Sequence, residues 1–208
     1  MSLFRTLSIP ILFFWFSVAH ADQGYSLISP PQPTESGKKI EVLEFFYYGC
    51  SHCYDLQKHL EPWLKKLPKD VEFHYVPTIF DDNWVKLART YYALDIVGQE
   101  PRLHGAIYDA VQIKHIDLGD EATLLDWAAK QGVDRSKLAN AYNSFSTQIG
   151  VTKSRQMTKN YGIEGTPSLV VDGKYITSPG LTKSLPGTIS ELDALIQTAR
   201  AERAKARR

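Results

Sequence analysis

From Ile40 to Tyr48 almost every side chain is apolar or aromatic, with Glu41 and Glu44 the only charges. So continuous a run predicts a strand covered on both faces. Leu56, Leu60, Leu64 and Leu67 then recur at helical spacing, predicting a helix over Tyr54–Leu67 that Pro62 should kink or split. Val71–Phe80 reads as a second strand. From Asp82 to about Ser146 the period is helical throughout. Trp84, Leu87, Ala88, Tyr91 and Leu94 share one stripe, and Leu103, Ile107 and Val111 another. Asp120 and Asp134 stand as N-caps of two further helices, the second carrying Leu138, Tyr142 and Phe145 inward. Another helix is expected at about Gln148–Tyr161.

Strand character returns at Ser168–Val171 and Lys174–Thr177, with Asp172-Gly173 between them as a hairpin turn. The last helix, Thr188–Arg203, opens on a Thr188…Glu191 capping box and turns Ile189, Leu192, Leu195, Ile196 and Ala199 inward. Residues 22–38, with Pro30, Pro31, Pro33 and Gly37, read as a lead-in with a short edge strand near Tyr25–Ile28. The order is strand, helix, strand, helical block, helix, hairpin, helix. Its two ends can share one sheet only if the helical block is an insertion, which makes the class α/β. The expected division is 1–21, then 22–82 with 147–208 as one discontinuous domain, and 83–146 as the insertion.

Composition narrows the setting. In residues 1–21 Arg5 is the only charge before an apolar run from Ser8 to Val18, and Ala19-His20-Ala21 supplies small residues at a cleavage site. This is a secretory signal peptide cut after Ala21; an uncleaved anchor would need about 20 apolar residues rather than about a dozen. Without Arg5 the remaining chain carries 23 basic and 23 acidic residues. That balance argues against nucleic acid as a partner. Export implies an oxidising compartment, a bacterial periplasm.

The chemistry centres on Cys50-Ser51-His52-Cys53, which holds the chain's 2 cysteines at the junction between the first strand and its helix. A thiolate is the reacting species in disulfide exchange. At a helix N-terminus, unpaired N–H groups and the helix dipole favour the Cys50 anion. His52 is close enough to add a hydrogen bond or a charge, and Cys53, one turn on, can donate its S–H and close the ring as the more buried partner. Holding the anion favours the reduced protein and makes the disulfide a stronger oxidant, about 30 mV for each 1.4 kcal/mol.

A purely structural bridge over so short a loop would contribute only about 2 kcal/mol, against nearly 5 for a long one. A closed zinc site needs four ligands, and beyond the two thiols the mature chain offers only histidines at 52, 59, 74, 104 and 115. Copper delivery by two thiolates and a remote histidine is the alternative from another functional class. No metal or other cofactor is expected.

Three further residues bear on the dithiol. Glu44 is either a buried acid that holds a proton as Cys53 reacts, or a strand-end glutamate reaching solvent. Thr166-Pro167 precedes the hairpin. If that peptide bond is cis, the Thr166 backbone lies beside the sulfurs, ready to pair with an extended peptide; otherwise Pro167 is a plain turn proline. His59 and His104 fit helix surface or core. The basic tail from Arg200 to Arg208 fits a solvated helix end.

Val42-Leu43-Glu44-Phe45-Phe46, Cys-X-His-Cys, and Gly165-Thr166-Pro167 leading into an Asp-Gly hairpin together resemble the DsbA-type periplasmic thiol:disulfide oxidoreductases. The resemblance runs over essentially the whole mature chain. It implies a thioredoxin-like fold with an inserted all-helical domain, and a first cysteine of unusually low pKa. It also implies roles: Cys50 as nucleophile, Cys53 as its buried partner, His52 tuning the thiolate, Pro167 as a cis proline after Thr166, and Glu44 as the buried acid. The implied substrates are reduced, unfolded secreted proteins, oxidised through a mixed disulfide on Cys50. The implied partner is a DsbB-type membrane protein that passes electrons to quinone, and the enzyme is expected to be a monomer. Isomerases and reductases of the same fold usually add an N-terminal dimerisation domain, for which residues 22–38 are too short. Ser51 replaces a proline of the best-known members, Thr166 a valine of several, and Val71–Pro77 offers no lysine to Glu44.

Overall fold

The computed structural model describes residues 24–206. The signal peptide expected at residues 1–21 lies outside them. Five strands form one sheet: β1 (Tyr25–Leu27), β2 (Ile40–Phe46), β3 (Val71–Pro77), β4 (Ser168–Val171) and β5 (Tyr175–Thr177), in the order β1-β5-β4-β2-β3. β2 and β3 run parallel; the other pairs are antiparallel. Helix α1 (Ser51–Leu64) crosses between β2 and β3. Between β3 and β4 lie α2 (Asp82–Ile96), α3 (Glu100–Tyr108), α4 (Glu121–Lys130), α5 (Arg135–Tyr142) and α6 (Phe145–Asn160), with a π turn at Asp109–Ile113 after α3. The short α7 (Pro179–Thr182) and the long α8 (Leu185–Ala206) complete the chain. This is the expected α/β fold with its helical insertion.

β2 is buried along its whole length, because it is interior to the sheet and both faces are packed. Its alternation sorts the core. Ile40 and Val42 face Leu56 and Leu60 of α1 and Leu192, Leu195 and Ile196 of α8. Leu43 and Phe45 face Tyr161, Ile163 and Val76 on the other side. Phe46 joins Cys53 and the residues of α2–α5 in the largest cluster. Leu56 and Leu60 are wholly buried, which stabilises the fold by about 2 kcal/mol each.

Several local expectations shift. Pro62 does not split α1: it stands two residues before the helix end, where its missing N–H removes the one intrahelical bond that would run to the carbonyl of exposed Lys58. The second strand stops at Pro77. Phe145 is not inward on α5 but 78% exposed at the start of α6. Ser144 caps that helix by accepting from Thr147 N, and its inner face is Thr147, Val151, Ser154 and Thr158. A face so poor in apolar residues hides the helix start from a hydrophobicity pattern.

The last helix begins at Leu185, and its cap is Ser184, whose Oγ accepts from Gly187 N at 3.0 Å. Thr188 instead donates to Ser184 O at 2.9 Å from inside the first turn. The basic tail is partly engaged: Arg200 Nε donates to Asp70 at 2.6 Å and Arg203 Nε to Asp172 at 2.9 Å. The hairpin turn is as expected, with Asp172 and Gly173 both at positive φ.

Candidate active site

Cys50 is the N-cap of α1. Its N donates to Tyr47 O at 2.9 Å and its carbonyl accepts from Tyr54 N at 3.1 Å, so the chain turns from strand to helix at the sulfur. Ser51, His52 and Cys53 are the first three helical residues. Both thiols are free; Cys50 is half-buried and Cys53 has no exposed surface. The Cys50 S–H donates to Thr166 O at 3.3 Å. The Thr166–Pro167 peptide bond is cis, and Pro167 is buried while Thr166 is half-exposed. Gly165, Thr166, Pro167 and His52 line one groove with Ile176 and Leu181.

The Cys50 thiol is held down to about 5. The Cys53 S–H is the strongest cause, partial burial opposes it, and the Thr166 side chain and the N–H groups of Cys53 and His52 add to it. These N–H groups are among the first of the helix, which have no partner within it. The contribution of His52 therefore comes through its backbone, and its exposed imidazole forms part of the groove wall. Cys53 is pushed the opposite way, foremost by burial, then by its bond to Cys50 and by the nearby Glu44 and Cys50 charges. One sulfur is thus stable as an anion and the other as a thiol.

Glu44 is completely buried on the α1 side of β2, so it does not reach solvent. Burial raises its pKa to about 8, a hydrogen bond from Gln57 opposes this, and the Cys50 charge adds to it. Gln57 Nε2 donates to Glu44 Oε2 at 3.3 Å, and Tyr75 Oη donates to Gln57 Oε1 at 3.3 Å. Glu44 Oε1 has no hydrogen-bond partner among the described residues. Sheet register places Tyr75 opposite Glu44, and one helical turn places Gln57 beneath Cys53. Sequence reasoning missed Gln57 and Tyr75. The available signal was a lone polar residue at Gln57 on the buried stripe with Cys53, Leu56 and Leu60.

The loop before Cys50 is tied to the helical insertion. Gln112 Nε2 donates to Tyr48 O at 2.7 Å, and Tyr48 Oη lies 3.0 Å from His104 Nδ1, itself 2.5 Å from Glu100 Oε1. His104 is therefore a buried core residue and stacks on Tyr75 with ring centroids 4.0 Å apart. His59 is half-buried on α1. Among the described residues no three His, Cys, Asp or Glu side chains converge as a metal-ligand group.

Comparison with known proteins places these features in context. The family described as "DSBA-like thioredoxin domain" matches residues 41–184. The thiol:disulfide interchange protein DsbA of Burkholderia cepacia is 38% identical over 174 residues, covering 83% of this chain and 82% of that one. The protein of the same name from Bordetella pertussis is 38% identical over 183 residues, covering 88% and 87%. The crystal structure of Pseudomonas aeruginosa DsbA superposes with a TM-score of 0.83 at 34% identity, over 89% of this chain and 95% of that one.

Proposed function

We propose, from the premise that this chain belongs to the DSBA-like thioredoxin-domain family, that it oxidises newly exported proteins through a mixed disulfide on Cys50. It is a thiol:disulfide oxidoreductase. A substrate thiolate attacks Cys50 Sγ of the Cys50–Cys53 disulfide. The S–S bond breaks, its electron pair goes to Cys53, and a substrate–Cys50 bond forms. Cys53 is too deeply buried to remain an anion, and takes a proton from Glu44, which is neutral near pH 7. A second substrate thiolate then attacks the substrate sulfur, and Cys50 leaves as the anion that its surroundings favour. The substrate loses two electrons and two protons.

The carrying observation is the unequal treatment of the two sulfurs: Cys50, the more exposed one, leaves the mixed disulfide readily as an anion, whereas buried Cys53 leaves the first disulfide only as it is protonated. Thr166 and Pro167 supply a groove beside Cys50. Once Cys50 has lost its proton, Thr166 O is free to accept from an incoming extended chain. His52 forms part of the wall of that groove and donates through its N–H. The work is done in the periplasm, reached through the signal peptide. A DsbB-type membrane partner takes the two electrons to quinone and restores the disulfide.

The test is oxidation of a reduced, unfolded secreted protein. The mature enzyme restores its disulfides and Cys50→Ala does not, while Cys53→Ala, first loaded with oxidised glutathione as a Cys50–glutathione disulfide, exchanges glutathione for a substrate thiol and accumulates the covalent mixed species. Addition of membranes carrying a quinone-linked oxidase makes turnover catalytic. Accumulation of the covalent mixed species in Cys50→Ala, or its absence in Cys53→Ala, would refute the assigned roles.

A further inference from the structure

Gln57 is a buried amide between two groups that differ in what they can offer. On one side is the Glu44 carboxyl, which is acceptor-only when ionised and gains an O–H donor when protonated. On the other is the Tyr75 hydroxyl, which can donate or accept. In the arrangement present here Tyr75 donates to Gln57 Oε1 and Gln57 Nε2 donates to Glu44. That arrangement suits the carboxylate.

Rotating the amide by half a turn reverses both bonds. A protonated Glu44 then donates to Oε1, and Nε2 donates to Tyr75 Oη. Each protonation state of Glu44 keeps two hydrogen bonds, and no polar atom is newly orphaned. A lysine in the same place could only donate, and would hold the acid ionised.

We propose that Gln57, backed by Tyr75, is a two-way positioning pair whose amide reverses as Glu44 takes up and releases its proton, so that Glu44 passes between both states during each turnover. This rests on the reading of Glu44 as the acid that protonates Cys53. The surroundings agree. Gln57 is 4% exposed, so water does not substitute for the amide. Tyr75 is held in register by β3 pairing and by its stack on His104, which keeps its hydroxyl on the amide. The titratable groups that feel Glu44 are Cys50 and Cys53 on α1, Tyr75 on β3 and Tyr108 on α3. From β4 the residue opposite Glu44 is the apolar Leu169. Among the described residues Gln57 is the hydrogen-bond partner of the Glu44 carboxyl, and no basic side chain is among the groups that shift it.

The experiment follows the Glu44 carboxyl by carbon-13 NMR across pH in the full mature protein, alongside the pH profile of Cys50–Cys53 reduction by dithiothreitol. With Gln57→Leu each state loses the same two bonds, one of them to Glu44, so the Glu44 midpoint moves by less than about half a unit while stability to urea falls at acid and alkaline pH alike. With Gln57→Lys, a one-way donor, the midpoint falls by more than about one unit and reduction near neutral pH slows several-fold, since Glu44 no longer holds a proton to give. A Gln57→Leu midpoint raised by a full unit would overturn the proposal, because the amide would then serve the anion alone. Unmoved midpoints in both variants would overturn it as well. Gln57→Leu serves if Gln57→Lys does not fold. A Glu44→Gln variant that reduces at the wild-type rate would strike the catalytic role of Glu44, while the midpoints would still decide the amide reversal.

Discussion

Replacing Glu44 by glutamine should stabilise this protein, and by an amount that depends on pH. Glu44 is wholly buried, and burial raises its pKa from the ordinary carboxylate range to about 8. The folded state therefore binds more protons than the unfolded chain between about pH 4.5 and 8, and stability falls as pH rises through that window. The stabilisation is complete below the unfolded pKa and gone above the folded one. At pH 7 the carboxyl lies about 2.5 units above its unfolded midpoint, which at 1.36 kcal/mol per unit is on the order of 3 kcal/mol. Glutamine has nearly the same shape and does not titrate.

The assay is urea unfolding of the oxidised wild type and the Glu44→Gln variant from pH 4 to pH 8.5. In the oxidised form neither sulfur titrates, and the smallest of the three influences on Glu44, the Cys50 charge, is absent. The variant should equal the wild type within error near pH 4 and exceed it by about 3 kcal/mol near pH 7, or roughly 6–12 °C in Tm for a domain of this size. A difference that stays constant with pH would refute the reasoning, since a packing change shifts stability without following a proton.

Thr166→Val should raise the Cys50 midpoint by about one unit, the equivalent of one hydrogen bond to an anion, whereas His52→Ser should move it less because the His52 N–H survives; ultraviolet thiolate absorbance distinguishes them. Gly173→Ala should destabilise the fold by about 1–3 kcal/mol in urea, because Gly173 sits at φ +68 and a Cβ there would meet Gln32 O at 2.1 Å. Between pH 9 and 5 the reduced protein should lose the stabilisation due to Cys50. The group's folded pKa is depressed, so its contribution is full above the unfolded value and disappears as pH falls through about 5. After discounting for the half-exposed sulfur this is about 1–2 kcal/mol at pH 7, read as a narrowing gap between wild type and Cys50→Ser.

The sheet and the dithiol were legible because their signals are local. β2 is an unbroken apolar run, the Asp172-Gly173 turn is carried by two adjacent residues, and Cys50 and Cys53 lie within one turn. Where sequence reasoning failed, a local choice was decided by something distant or by a polar face. Thr188 and Glu191 spell a capping box, yet Ser184 caps the helix one turn earlier, with Pro186 in the first turn, where a missing N–H costs little. Phe145 continues the stripe of α5 in sequence, but the Ser144 cap starts a new helix and turns it outward. Gln57 and Tyr75 are brought to Glu44 by strand register and helix placement together, and neither spacing nor hydrophobicity records that meeting. Glu44 itself was visible, while its burial depended on the helix laid over it.

A titration of Cys50 in the reduced mature protein, following thiolate absorbance with Cys53 replaced by alanine as a control, tests the whole scheme most directly. The expected midpoint in the wild type is about 5, rising in the control as the Cys53 S–H is lost. A wild-type midpoint near 8.5, that of a free cysteine, would contradict it.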